Sequence, residues 1–222
     1  MKIELDNFII ESDIELDYFN DVVNHIIENE KRIFNFFKLD KLPNKVKIYI
    51  ISYKPFKDFV ISKYGEIMDY VSGDSDSKTN TIRILNIADQ IKYTTHKDAN
   101  VDKIKGTALH EIVHQCHHVY HNDYRQTIWF SEGLATNISS QDYTLKNLEE
   151  CDFDKLRSDF RHYKGAYSFS YTLVNYILNN YTEEEISNLY TNPDYLKSRA
   201  DIIFDEAKAW IYGRLNNKTI KK

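Results

Sequence analysis

The chain has 222 residues, 42% hydrophobic and 28% charged, with a formal net charge of −5. That length can bury a sizeable core without disulfide staples; three Pro and six Gly exclude collagen-like and Pro/Gly low-complexity classes, and 17 Tyr with 12 Phe supply the apolar area that disordered chains lack. The mild acidity leaves no basic footprint for nucleic acid, and no window approaches the ~20 apolar residues of a membrane helix, so neither nucleic acid nor membrane is an expected partner.

The first residues, Met1-Lys2-Ile3-Glu4-Leu5-Asp6, place acids where a signal peptide needs an apolar stretch. Cys116 and Cys151 alone make no secreted disulfide framework, and the expected location is the cytoplasm. Residues 12–38 read as a helix capped by Ser12 or Asp13, because Ile14, Tyr18, Val22, His25, Ile26 and Ile33 recur at three- and four-residue steps. Val46 to Ser52 alternates as a strand. Pro55 suits the first turn of a second helix that ends near Tyr64, before Gly65. Residues 67–71 and 81–87 read as two strands of a hairpin, with the turn-rich 72–80 stretch between them. Helical patterns follow over 101–120, 128–139, 167–180, 183–190 and 195–214. A small sheet followed by helices predicts an α+β fold, organised as a single domain over 1–222 with a helix-plus-sheet part in 1–100 and a helical part in 101–222.

The chemistry is concentrated in His110-Glu111-Ile112-Val113-His114. On a helix, residues four apart lie ~40° apart around the axis and ~6 Å apart along it, so both imidazoles reach one metal ion. Glu111 stands ~100° round from His110, placed to accept a proton rather than to ligate. Projected at ~100° per residue, Ile104, Ala108, Leu109, Ile112, Val113, Cys116, Val119 and Tyr120 form a core arc. His110, His114, His117, His118 and His121 form the opposite arc. His117/His121 and His114/His118 are also metal pairs on paper, but only His110/His114 bracket a glutamate in the catalytic position; His117, His118 and His121 read as surface residues. Gly106, four residues before His110, marks either clearance above the metal or a helix that kinks or starts late.

A catalytic zinc takes a third protein ligand and keeps an open position. Eighteen residues after His114 comes Glu132, within Trp129-Phe130-Ser131-Glu132-Gly133-Leu134-Ala135. That distance lets the chain leave one helix and start another, and the small Gly133 and Ala135 allow close approach to the first.

This combination resembles the gluzincin metallopeptidases, in particular the thermolysin-like catalytic modules of the aminopeptidase branch and their short, peptidase MA-like relatives. The resemblance covers about residues 45–180, with its specific part in 106–136. It implies a zincin-like fold: a small mixed sheet, an active-site helix and a mostly helical C-terminal half. It implies one Zn2+ per chain, held by His110, His114 and Glu132, with Glu111 as general base for peptide-bond hydrolysis in a peptide or protein substrate. Tyr163, three residues before Ala166, matches the family tyrosine that hydrogen-bonds the oxyanion, with His162 and Tyr167 as rivals. Two departures stand out. The position of the family's supporting Asp, four residues beyond the third ligand, holds Thr136, and the Gly-x-Met-Glu-Asn motif for a free N-terminus is only echoed in Gly65-Glu66-Ile67-Met68-Asp69. They keep open a second reading, a zinc-binding but proteolytically inactive scaffold or partner-binding domain. The 67–87 hairpin could bind substrate backbone as an edge strand, its Asp74 and Asp76 either favouring basic residues or simply solvated.

Overall fold

Two-residue alternation builds the sheet. The strands are β1 (Lys2–Glu4), β2 (Phe8–Ser12), β3 (Val46–Ile51), β4 (Gly73–Asp76) and β5 (Thr81–Leu85), in the order β1-β2-β3-β5-β4. The central β2, β3 and β5 run parallel, while β1 and β4 add antiparallel at the two edges. Phe8, Ile10, Val46, Ile48, Ile50, Ile82 and Ile84 supply the buried side chains of the central strands. Parallel neighbours need a crossover, and α1 (Phe19–Phe36) provides it between β2 and β3.

The computed structural model describes residues 1–120, 127–143, 145 and 152–219. It is a mixed α+β structure with five strands and nine helices among the described residues, and it divides into two units, Met1–Val119 and Tyr120–Lys222.

In the first unit α1 buries Val22, Val23, Ile26, Ile33 and Phe34 and packs beside α4 (Val101–His118). Helix α2 (Tyr53–Tyr64) sets Phe56 and Val60 against Leu85, with Ile51 alongside. It ends at Gly65, whose φ of 83° is a left-handed C-cap conformation that glycine adopts without strain. Helix α3 (Ile87–Tyr93) is capped by Asn86, whose side chain accepts the Asp89 amide.

Two expectations are corrected here. Residues 8–12 form β2 and the helix begins only at Phe19. Ser12 and Asp13 do not cap it: the Ser12 hydroxyl donates to the Ile14 carbonyl and the Asp13 carboxylate accepts from the amide and hydroxyl of Ser52. Residues 67–71 form no strand, because Met68 and Val71 pack onto the Phe56–Val60–Leu85 cluster. The antiparallel partner of β5 is Gly73–Asp76, inside the stretch read as a turn.

The second unit holds α5 (Ile128–Ile138), α6 (Phe153–Ser158), α7 (Ala166–Asn180), α8 (Glu183–Thr191) and α9 (Pro193–Thr219). Trp129, fully buried, packs on Phe130 and Phe204, and Phe153 packs on Phe169 and Phe204. Helices α5 and α7 lie side by side, with Gly133 turned towards Ser170 and Val174. Pro193 opens α9 instead of merely separating two helices, as its fixed φ and missing N–H permit in a first turn. Among the described residues no helix is long and apolar enough to cross a membrane.

Candidate metal centre

Helix α4 starts at Asn100, whose side chain accepts the Lys103 amide at 3.0 Å and so satisfies one of the orphan donors of the first turn. It runs unbroken through Gly106, which removes the late-start reading of that glycine. Ile104, Ala108, Leu109, Ile112, Val113 and Cys116 are buried as the projection requires, whereas Val119 is exposed. Burial pushes the Cys116 thiol pKa up, which leaves it an inert packing group; Cys151 lies outside the described residues.

On the other side of the helix His110 and Glu111 are buried, 8% and 7% exposed, and His114 is half-buried. The Nε2 atoms of His110 and His114 stand 3.1 Å apart, with the two rings nearly perpendicular at 78°. Both imidazoles thus converge on one point, each offering the same ring nitrogen.

Strand β4 runs along this helix. Gly73 faces Thr107 and Glu111, and the Gln115 amide nitrogen donates to the Ser75 hydroxyl at 2.7 Å. The alternate residues point away. Asp74 is buried, accepting from Lys63 Nζ and the Tyr64 hydroxyl, both at 2.6 Å. Asp76 is tied into its turn by the Lys78 amide and the Thr79 hydroxyl. Asp74 is therefore neither solvated nor turned outward to select basic residues, and Asp76 is occupied locally.

His117 departs from its expected surface position. It is 1% exposed and stacks on Phe37, at the C-cap of α1, with centroids 6.1 Å apart. The helical projection gave its arc correctly, but the cover comes from α1, which a projection of α4 alone does not contain. His118 is half-buried, and His121 lies outside the described residues.

In the second unit Glu132 is half-buried on α5. Gly133 packs closely on α7, against Ser170 and Val174. Thr136 is fully buried and its hydroxyl donates back to the Glu132 carbonyl at 2.8 Å. Asn137 donates to the carbonyls of Gly133 and Tyr171 at 2.8 and 2.9 Å, tying α5 to α7. The Tyr163 hydroxyl accepts the Asp152 amide at 2.7 Å, at the start of α6. Gly165, with φ 103°, takes the left-handed conformation that lets the chain turn into α7. His162 is largely exposed, its Nδ1 2.6 Å from an Asp159 carboxylate oxygen. Tyr167 packs between the rings of Tyr143 and Phe160.

Tyr143 was missed by sequence reasoning. Burial raises its phenol pKa and the charge of Glu132 raises it further, which places the ring within electrostatic reach of that carboxylate. Nothing local distinguishes it among 17 tyrosines except its position eleven residues beyond Glu132. No family model matches the chain, and no curated protein matches it.

Proposed function

We propose that this chain is a zinc-dependent metallopeptidase of the gluzincin type, built on a zincin-like module. His110, His114 and Glu132 hold one zinc ion, Glu111 is the general base, and the substrate is a peptide or protein. The observation that carries this reading is the 3.1 Å separation of the two Nε2 atoms. Two imidazole nitrogens bound to one tetrahedral zinc at ~2.0–2.1 Å stand about 3.3 Å apart, so the pair fits such an ion with a minimal shift. Glu132 supplies the carboxylate of a two-imidazole, one-carboxylate donor set, which leaves a position open for catalysis.

Held by His110, His114 and Glu132, a zinc ion would polarise the scissile carbonyl and acidify a water molecule. Glu111 takes the proton of the attacking water and passes it to the leaving amine. Burial of its carboxylate beside β4 holds it in one place for both transfers. Tyr163 stabilises the oxyanion. The Asp152 amide, donating to its hydroxyl at 2.7 Å, ties the phenol to the start of α6.

The test is elemental analysis of untagged protein, followed by hydrolysis of a fluorogenic peptide library with and without chelator. About one zinc per chain is expected, lost in His110→Ala and in His114→Ala, with hydrolysis abolished by chelation and restored by zinc. Full zinc in both histidine variants overturns the metal assignment. Stoichiometric zinc without hydrolysis of any peptide overturns the peptidase reading in favour of a zinc-bearing scaffold.

A further inference from the structure

We propose that Gly73 is a positioning residue for Glu111: its bare backbone fixes where the carboxylate sits. Thr107, Glu111 and Gln115 recur every four residues and so form one row along α4. Gly73 and Ser75, two residues apart, present the same face of β4 to that row. Four helical residues advance ~6 Å and two strand residues ~6.6 Å, so row and strand stay in step. Ser75 is bonded to Gln115, which sets the register, and Gly73 falls between Thr107 and Glu111.

The space there is already filled. A Cβ at Gly73 would lie 2.6 Å from Thr107 Cγ2 and 2.9 Å from Glu111 Oε1. Any side chain at 73 therefore displaces both the threonine methyl and the carboxylate. The threonine branches at Cβ and has little rotamer freedom, while the glutamate is long and swings away. Helical propensity does not demand this glycine, and neither does φ; the close approach does. The carboxylate is held between its own helix and an edge strand. The catalytic consequence rests on the reading of Glu111 as general base; the packing does not.

Thr107→Ser removes the methyl and isolates the carboxylate contact. In that background Gly73→Ala is expected to lower Tm by about 2–10 °C, the usual range for overpacking in a chain of this size. Adding Glu111→Ala should recover most of that loss. An equal loss with and without Glu111→Ala overturns the proposal. On a peptide that the wild type cleaves, Gly73→Ala with Thr107→Ser should keep its zinc and its KM and lose kcat about 10²-fold, as a base misplaced by about 1 Å does. Unchanged kcat in that variant also overturns it. Absence of turnover in the wild type would sink the peptidase reading alone, and the Tm coupling would still decide whether Gly73 sets the carboxylate.

Discussion

Gly133 and Ser170 meet backbone to backbone: a Cβ at Gly133 would lie 2.5 Å from the Ser170 carbonyl oxygen and closer still to a methyl of Val174. The oxygen belongs to α7 and cannot swing aside, so α5 and α7 approach each other only because residue 133 has no side chain. Gly133→Ala should cost about 1–3 kcal/mol and lower Tm by about 2–10 °C. Adding Val174→Ala should recover part of this and no more, since the carbonyl remains. Differential scanning calorimetry checks both. A wild-type Tm for the single variant would mean that the two helices move apart freely.

Glu111→Gln should retain zinc and lose about 10²–10⁴-fold in kcat, because an amide fills the same space but takes no proton. Paired metal analysis and steady-state kinetics read the two halves separately. Loss of zinc together with activity would make Glu111 a ligand or a structural support instead of a base.

Tyr163 carries two separable roles. Tyr163→Phe removes the acceptor of the Asp152 amide, at 2.7 Å, and should cost about 0.5–1.5 kcal/mol in stability. It should also lower kcat about 10²-fold with little change in KM, as loss of an oxyanion donor does. Tyr143→Phe, Tyr167→Phe and His162→Ala are the comparisons. Reduced Tm with full kcat in Tyr163→Phe would confine Tyr163 to supporting α6, and a selective kcat loss in Tyr143→Phe would move the donor to that ring.

The sequence disclosed the helix of the candidate metal centre more fully than the strand beside it. The apolar row from Ile104 to Cys116 sets the buried side of α4, and His110 and His114 recur at a spacing that only a helix brings together. These signals are local, and they read correctly. Strand β4 left no such trace, since Gly-Asp-Ser-Asp contains no apolar alternation and its extended form is imposed by β5, α2 and α4. Asp74 looked like a loop acid for the same reason. His117 was misread because its cover, Phe37, stands eighty residues earlier in the chain. Tyr143 gained its interest only through proximity to Glu132 and Tyr167 within the helical unit.

Helix α8 should show a pH dependence of known sign. Thr182 and Glu185 form a reciprocal capping box, and the Thr182 amide, then its hydroxyl, hold the Glu185 carboxyl below its usual pKa. A carboxylate with a lower pKa folded than unfolded stabilises the fold above the unfolded value, near ~4.3, and that contribution is lost as pH falls through the folded value. Glu185→Gln keeps the geometry and removes the titration. The Tm advantage of wild type over this variant should hold from pH 7 to about 5 and vanish as pH drops below about 4. A constant difference across that range would show that the charge plays no part.

No side chain of β4 is oily, and this gives the edge of the sheet a character unlike its centre. Val46, Ile48 and Ile50 of β3 leave the core only when the unit unfolds, because each would drag apolar surface into water. Gly73–Asp76 would drag none. The strand is fastened by its ladder with β5 and by the hydrogen bonds of Asp74 and Ser75, all of which water can replace. It can therefore peel from its neighbour at a free energy well below that of global unfolding. Native-state hydrogen exchange should find the β4 amides exchanging through small openings that denaturant barely accelerates, while those of β3 wait for the whole unit. The wall that confines Glu111 is thus an edge of the sheet that lifts and reseats more easily than its centre.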